Sequence, residues 1–392
     1  MSETDKYMAG GPAGCRVLCV VGTRPEAIKM APVILALRKM PSLTIRVLAT
    51  AQHREMLDDT LAQFAIVPDV DLNVMQPEQS LAALTARLLD GVDRVLGEEK
   101  PDIVLAQGDT STVFVTALAC FYRRIAFGHV EAGLRTGDLR NPFPEEMNRR
   151  FAGQLTTLHF APTAQARTNL LKEGVPTTAV HVTGNTVIDA VHWMAEHKPA
   201  HGLPLQEEAR VILLTCHRRE NFGEPLQQIL AAVGRLAQQY PDVQIVYPVH
   251  PNPQVARHAR EVLSGIANVV LTDPLNYARL VALMQACHFV MTDSGGLQEE
   301  APALGKPVLV LREETERPEG VAAGTAKLVG HDADNIVQQA RRLLDDSAYY
   351  AEMACAVSPY GDGRAAARIA CLLEAWWAST RAADIAGQDR LT

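Results

Sequence analysis

Acids and cations collect at the ends of apolar runs in this chain. Asp109 stands directly after Ile103-Val104-Leu105-Ala106, inside Gln107-Gly108-Asp109-Thr110. Glu131 follows the run Ile125 to His129, inside Gly128-His129-Val130-Glu131-Ala132-Gly133-Leu134-Arg135-Thr136. Glu145, fourteen residues further on, opens a helix at Pro144-Glu145-Glu146. If these three carboxylates converge, they can divide proton abstraction from proton donation, because like charges in one pocket push their proton affinities apart. Plainer accounts fit two of them: Asp109 as the cap of a helix beginning near Ser111, and Glu145 as a partner of its helix dipole. Glu131 has no such account, since a solvated glutamate needs no Gly-containing loop after a strand.

The cations suggest an anionic ligand. Gly22-Thr23-Arg24-Pro25-Glu26-Ala27-Ile28-Lys29 puts Arg24 in a turn and Lys29 on the first helical turns, so both can face a phosphate or carboxylate. A solvated helix start with Glu26 as partner would use the same residues. Thr215-Cys216-His217-Arg218-Arg219-Glu220-Asn221 ends another apolar run, and a pyrophosphate would satisfy its His217, Arg218 and Arg219 donors. Arg317, in Thr315-Glu316-Arg317-Pro318-Glu319, is placed to clamp a substrate. Thr292-Asp293-Ser294-Gly295-Gly296-Leu297-Gln298-Glu299-Glu300 reads as a strand running into a helix N-terminus. Ser294, Gly295 and Gly296 would let backbone N–H groups approach an anion, and Glu300, one turn on, would accept hydrogen bonds from hydroxyls. Phosphate beside hydroxyls describes a nucleotide, although an ordinary β-α turn with Ser as N-cap accounts for the stretch equally well.

These loops need a scaffold of alternating elements. Strands are expected at Arg16–Val21, Thr44–Thr50, Ile103–Ala106 and Ile125–Phe127, with helices from Pro25 to about Lys39, from about Glu55, over Ser111–Tyr122 and over Glu145–Leu155. The pattern restarts after the polar segment His197–Pro204 with strands at Val211–Thr215, Gln244–Tyr247, Val269–Leu271, Phe289–Met291 and Val308–Val310. Such alternation predicts α/β architecture, two Rossmann-like doubly wound domains facing a central cleft, with ligands beyond the carboxyl ends of the strands. The expected division is a leader over 1–14, a domain over 15–190 carrying the carboxylates, a nucleotide-binding domain over 191–363, and a final helix over 364–392 crossing back to the first domain.

Composition sets limits. A chain of 392 residues exceeds what one core usually covers. A net charge of −8 argues against nucleic-acid or membrane-surface binding, and no apolar run is long enough to span a bilayer. Without a signal peptide, a cytoplasmic residence is expected. The seven cysteines include no C-x-x-C pair and read mostly as small core residues. No G-x-G-x-x-G follows the first strand, no P-loop occurs and no His/Cys cluster has zinc spacing, so neither cofactor nor metal is expected.

Gly22-Thr23-Arg24-Pro25-Glu26-Ala27-Ile28-Lys29-Met30-Ala31-Pro32, His129 to Thr136, Cys216 to Asn221 and Asp293 to Pro302 together resemble the signatures of the non-hydrolysing UDP-N-acetylglucosamine 2-epimerases, in order, from about Arg16 to the final helix. The resemblance implies the glycosyltransferase-B architecture, a homodimer, and reversible conversion of UDP-N-acetylglucosamine to UDP-N-acetylmannosamine through loss and return of UDP. It implies that Asp109, Glu131 and Glu145 move protons and that His217 serves the leaving pyrophosphate. It also places Arg24, Lys29, Ser294, Gly295, Gly296, Glu300 and Arg317 against UDP or sugar. Some bacterial members are activated by their own substrate near the segment matching Gln52-His53-Arg54-Glu55. A C2 epimerase of a modified UDP-sugar such as a diacetamido uronic acid, a hydrolysing 2-epimerase, and a glycosyltransferase or UDP-sugar binding protein remain alternatives.

Overall fold

The computed structural model describes residues 14–50, 54–76 and 79–388. Nearly all of the expected leader, as well as Gln52 and His53, lies outside the described residues. The chain forms two compact units, one running to Thr186 and resuming at Gly363, the other Val187–Asp362.

The first unit alternates β1 (Cys15–Val21), α1 (Arg24–Leu37), β2 (Leu43–Ala49), α2 (Arg54–Gln63), β3 (Val70–Asp71), α3 (Leu81–Glu99), β4 (Ile103–Gln107), α4 (Ser111–Arg123), β5 (Ala126–Val130), α5 (Glu145–Leu155), β6 (Leu158–Ala161), α6 (Ala164–Lys172) and β7 (Val180–Val182). Its sheet is wholly parallel, in the order β3-β2-β1-β4-β5-β6-β7. Helix α7 (Thr186–Glu196) leads into the second unit: β8 (Arg210–Thr215), α8 (Glu224–Gln239), β9 (Val243–Pro248), α9 (Pro253–Leu263), β10 (Val269–Thr272), α10 (Tyr277–Ala286), β11 (Phe289–Thr292), α11 (Gly295–Ala303), β12 (Val308–Val310), α12 (Pro318–Ala322), β13 (Ala326–Leu328), α13 (Ala333–Asp345) and α14 (Ser347–Ala354). The six strands here are also parallel, in the order β10-β9-β8-β11-β12-β13. The final helix α15 (Ala365–Gln388) belongs to the first unit, where Arg368 donates to the Thr183 carbonyl at 3.0 Å.

Parallel strands covered by helices on both faces are apolar on both faces, hence the unbroken runs at β1, β4, β8 and β11. Val20, Leu48, Val104, Ala106 and Phe127 are buried in one core, and Ile212, Leu214, Ile245, Phe289 and Met291 in the other. The strands that the sequence does not announce are short or carry polar residues: β3 has two residues, β6 contains His159, β7 contains His181 and β13 contains Lys327. These are the two doubly wound units from which the glycosyltransferase-B architecture is built. In each sheet the strand order reverses direction at one place, between β1 and β4 and between β8 and β11. At these switch points the loops leaving adjacent strands diverge and open a crevice. Five cysteines are buried and two, Cys355 and Cys371, are exposed. Among the described residues no helix is long and apolar enough to cross a membrane.

Two buried histidines give the first unit a pH dependence. Burial, reinforced by the charge of His129, pushes the His159 imidazole from 6.5 down to about 3, and burial takes His129 down to about 4. Both are neutral in the fold and protonate more readily once unfolded, so their contribution is present above pH 6.5 and is lost as pH falls toward the folded values. Glu26 runs the other way, since burial raises it to about 7 and its proton uptake favours the fold as pH falls. His159→Gln should therefore lose less stability than the parent between pH 7 and pH 5, by on the order of 2 kcal/mol. Urea unfolding of the first unit at both pH values measures this, and equal slopes for the two proteins would refute it.

Candidate active site

In the first unit the chemistry gathers where β1, β4 and β5 end. Glu131 follows β5 directly, is 7% exposed and has a φ of +64°, a left-handed conformation that costs a non-glycine residue about 1 kcal/mol and is found chiefly at functional sites. Lys29, on α1, donates to both of its oxygens, at 2.7 Å to Oε1 and 2.6 Å to Oε2. This ammonium neutralises the glutamate's charge and so permits its burial. Gln107, the last residue of β4, donates to Oε2, and Asn185 approaches Oε1 at 3.4 Å.

Asp109 lies on the next loop. Arg149 of α5 donates to its Oδ2 through Nε at 2.9 Å and Nη2 at 2.6 Å, and the Asn148 amide holds its carbonyl at 2.8 Å. The turn before it is fixed from beneath. Gly108 has φ +87°, and its carbonyl accepts from His129 Nε2 at 2.7 Å. Arg149 also reaches Glu146 at 3.1 Å, and the fully buried Glu146 accepts from the Thr136 N–H at the same distance. Glu145, beside it, is half-buried at the first position of α5. The side chain of Arg24, half-buried at the start of α1, makes no hydrogen bond or ion pair among the described residues.

The second unit builds its switch point around Asp293. This carboxylate is fully buried, and its Oδ2 accepts from the His217 N–H at 2.8 Å, the Arg218 N–H at 2.7 Å and Asn221 Nδ2 at 2.9 Å. Its Oδ1 lies 3.4 Å from His217 Nδ1, which directs the opposite ring nitrogen away from the core. The His217 ring stacks on His250, with centroids 5.5 Å apart and planes 13° from parallel, while His250 Nδ1 also accepts from the Asn252 N–H at 3.2 Å.

Ser294 is the N-cap of α11, and its side chain makes no capping bond. A Cβ on Gly295 would lie 3.5 Å from Arg218 Nη2 and 3.4 Å from Glu316 Oε2. One on Gly296 would lie 3.3 Å from Glu300 Oε1. Arg218, Glu316 and Glu300 therefore stand around the N-terminus of a helix whose first N–H groups have no partner within the helix. Glu316 accepts from Arg218 at 3.2 Å and Arg312 at 3.4 Å. Burial alone would raise its carboxyl, but Arg218, Arg312 and Arg317 together hold it below the ordinary glutamate range. Arg317 is paired with the buried Glu299.

The site residues expected from sequence thus fall into two groups. In the first unit Lys29 and Glu131 are in direct contact, Asp109 is tied to α5, and Glu145 starts that helix. In the second unit His217 and Arg218 share one turn, beside Ser294, Gly295, Gly296 and Glu300, while Arg317 meets Glu299. One alternative account is corrected. Glu26 is not the solvated partner of Arg24 and Lys29; it is 2% exposed, and Lys29 pairs with Glu131. The residues that sequence reasoning passed over are supports: Gln107, Asn148, Arg149, Asn185 and Asn221. Gln107 and Asn221 lay inside stretches already singled out. Asn185 had no signal, because the strand before it is three residues long.

Residues 35–374 match the family model described as UDP-N-acetylglucosamine 2-epimerase. The chain is 51% identical to the UDP-N-acetylglucosamine 2-epimerase of Salmonella typhimurium over 371 residues, 92% of this chain and 99% of that protein. It is 52% identical to that of Bacillus subtilis over 355 residues, 90% and 93% of the two chains. Among solved structures it is similar to the UDP-GlcNAc 2-epimerase from Neisseria meningitidis bound to UDP-GlcNAc, with 48% identity, a TM-score of 0.83, and coverage of 91% of this chain and 99% of that one.

Proposed function

This chain belongs to the UDP-N-acetylglucosamine 2-epimerase family, and on that premise we propose how its own residues carry the reaction. The activity is the reversible conversion of UDP-N-acetylglucosamine to UDP-N-acetylmannosamine. The hydrogen on C2, the carbon that bears the acetamido group, is too weakly acidic to be removed and returned directly. Loss of UDP makes removal feasible: a base takes the C2 proton, the C–H electrons form the C1–C2 double bond, and the C1–O electrons leave with the β-phosphate. The products are 2-acetamidoglucal and bound UDP. Protonation of C2 from the opposite face and return of UDP to C1 give the epimer. Each direction needs a base, an acid and a grip on UDP that outlasts the glycosidic bond.

The first unit supplies the proton-transfer groups in this reading. Asp109 and Glu131 end adjacent strands at the switch point, each against its own cation, and Glu145 is the third member of the set. The second unit supplies the grip on UDP: the N-terminus of α11 at Ser294 to Gly296, with His217 and Arg218, takes the pyrophosphate, and Glu300 takes the ribose hydroxyls. Arg24, Lys29 and Arg317 complete the contacts to UDP and sugar. The observation that carries the assignment is the buried Lys29–Glu131 pair, with Glu131 held in a left-handed conformation directly after β5.

Incubation with UDP-N-acetylglucosamine in deuterium oxide, without added cofactor, tests the reading by NMR. UDP-N-acetylmannosamine should appear with deuterium at C2. Free N-acetylmannosamine would identify a hydrolysing enzyme instead, and a lack of exchange would sink epimerisation of this substrate. We also propose a cytoplasmic homodimer. Phe121 and Tyr122 at the end of α4 and Phe151 on α5 are more than half exposed, which supports an apolar contact between copies. Light scattering should give the mass of two chains, and a monomer mass would reject the dimer.

A further inference from the structure

One buried acid beside the assigned ones has no part in the chemistry above. Glu26, on the first turn of α1, accepts three hydrogen bonds: the Gly22 and Thr23 N–H groups reach Oε2 at 2.6 and 2.7 Å, and the Thr110 hydroxyl reaches Oε1 at 2.5 Å. The first two bonds close the β1–α1 turn from inside. The third crosses to the β4–α4 turn, 84 residues away in sequence. An exposed glutamate at this helix position would cap α1 without any cost of burial. Glu26 does close a capping box with Thr23 at the start of α1, but capping requires neither the bond to Thr110, 84 residues away, nor burial, which pushes this carboxyl up to about 7 against the hydrogen bonds that favour its ionised form.

The surroundings form one compact polar knot. A Cβ on Gly22 would lie 2.4 Å from the Thr112 hydroxyl and 2.6 Å from that of Thr50, and those hydroxyls bond each other at 3.1 Å. The ends of β1, β2 and β4 are thereby cross-linked at the switch point. Arg24 stands two residues before Glu26, and Asp109 stands immediately before Thr110. We propose that Glu26 is a positioning residue whose bond to Thr110 locks the Arg24 turn and the Asp109 turn in a fixed relation, so that anion-binding cation and proton-transfer carboxylate address one substrate. The inference rests on the roles given to Arg24 and Asp109 above.

The test compares Thr110→Val, Thr110→Ser, Glu26→Ala and Glu26→Gln by C2 deuterium exchange, UDP titration calorimetry and thermal midpoint. Thr110→Val removes only the link between the turns and should lower kcat about tenfold, with KM and UDP affinity unchanged. Thr110→Ser, which keeps the hydroxyl, should restore kcat. Glu26→Ala should lower both kcat and UDP affinity about tenfold or more, and Glu26→Gln, whose amide can accept from both N–H groups and donate to Thr110, should recover both. Parental values for Thr110→Val and Glu26→Ala would overturn the proposal. So would failure of Thr110→Ser and Glu26→Gln to improve on them. If the parent binds UDP but shows no exchange, the epimerase reading fails, while the UDP affinities of the two Glu26 variants still decide the Arg24 half of the lock.

Discussion

Glu131→Gln is expected to lower kcat by about a thousandfold while UDP still binds, because general acid–base groups typically supply two to four orders of magnitude. The amide keeps the shape of the glutamate and can still accept from Lys29, but it cannot take a proton from carbon. The substitution also removes the negative partner of Lys29, whose ammonium stands 2.6 Å from the carboxylate and is largely buried. A bound UDP brings negative charge of its own, so UDP affinity should hold or rise slightly while turnover collapses. Steady-state kinetics and UDP calorimetry on the same preparation measure both quantities. A variant retaining a tenth or more of parental kcat would remove Glu131 from the proton-transfer set.

Asp293→Ala should be the most damaging change in the second unit. The carboxylate is fully buried, and one of its oxygens serves the His217 N–H, the Arg218 N–H and the Asn221 amide at 2.7 to 2.9 Å. Alanine leaves the His217 and Arg218 N–H groups without an acceptor and the Asn221 amide with the Leu311 carbonyl at 3.2 Å, in a site too enclosed for easy solvation, which should cost about 4 kcal/mol of stability in that unit. The turn carrying His217 and Arg218 would also lose its anchor to the strand that leads into α11, and UDP affinity should fall by about tenfold or more. Asp293→Asn should be milder, since a single carbonyl oxygen can still accept from all three donors. Urea unfolding and UDP titration separate the two effects. Parental stability in Asp293→Ala would show that the donors find other partners and that Asp293 is not the brace of this turn.

The parallel strands β1, β4, β8 and β11 could be read from sequence because burial on both faces keeps their central residues apolar, with polar residues such as Arg16, Gln107, Arg210, Thr215 and Thr292 only at or near their ends, and the ligand-handling loops follow directly from those ends. For the same reason the two groups of site residues were legible as types in places: acids after β4 and β5, cations after β8, a Ser-Gly-Gly turn after β11. Their pairings were not. Lys29 and Glu131 are 102 residues apart, and only the strand order β1-β4-β5 brings their loops together. Glu26 looked like a surface partner for neighbouring cations, since a glutamate three residues into a helix is usually solvated. Turned inward, it meets the Gly22 and Thr23 N–H groups and the Thr110 hydroxyl, and local sequence cannot place the last of these. On α5 the sequence singles out Glu145, while its neighbour Glu146 is fully buried and bonded to Arg149 and Arg150. Adjacent helical residues point about 100° apart, and only the packed sheet decides which faces inward.

In this reaction UDP leaves C1 and the same nucleotide returns, a departure and return that positional isotope exchange reads. UDP-N-acetylglucosamine carrying a heavy-oxygen label in the bridge between C1 and the β-phosphorus is incubated with the protein, and recovered UDP-sugar is read by phosphorus NMR. The label should move into the non-bridging positions of the β-phosphate as epimerisation proceeds, because the free β-phosphate can turn before it re-adds. Epimerisation with deuterium entering at C2 and the label held in the bridge would contradict this departure and return, since a β-phosphate released from C1 and able to turn must scramble its oxygens.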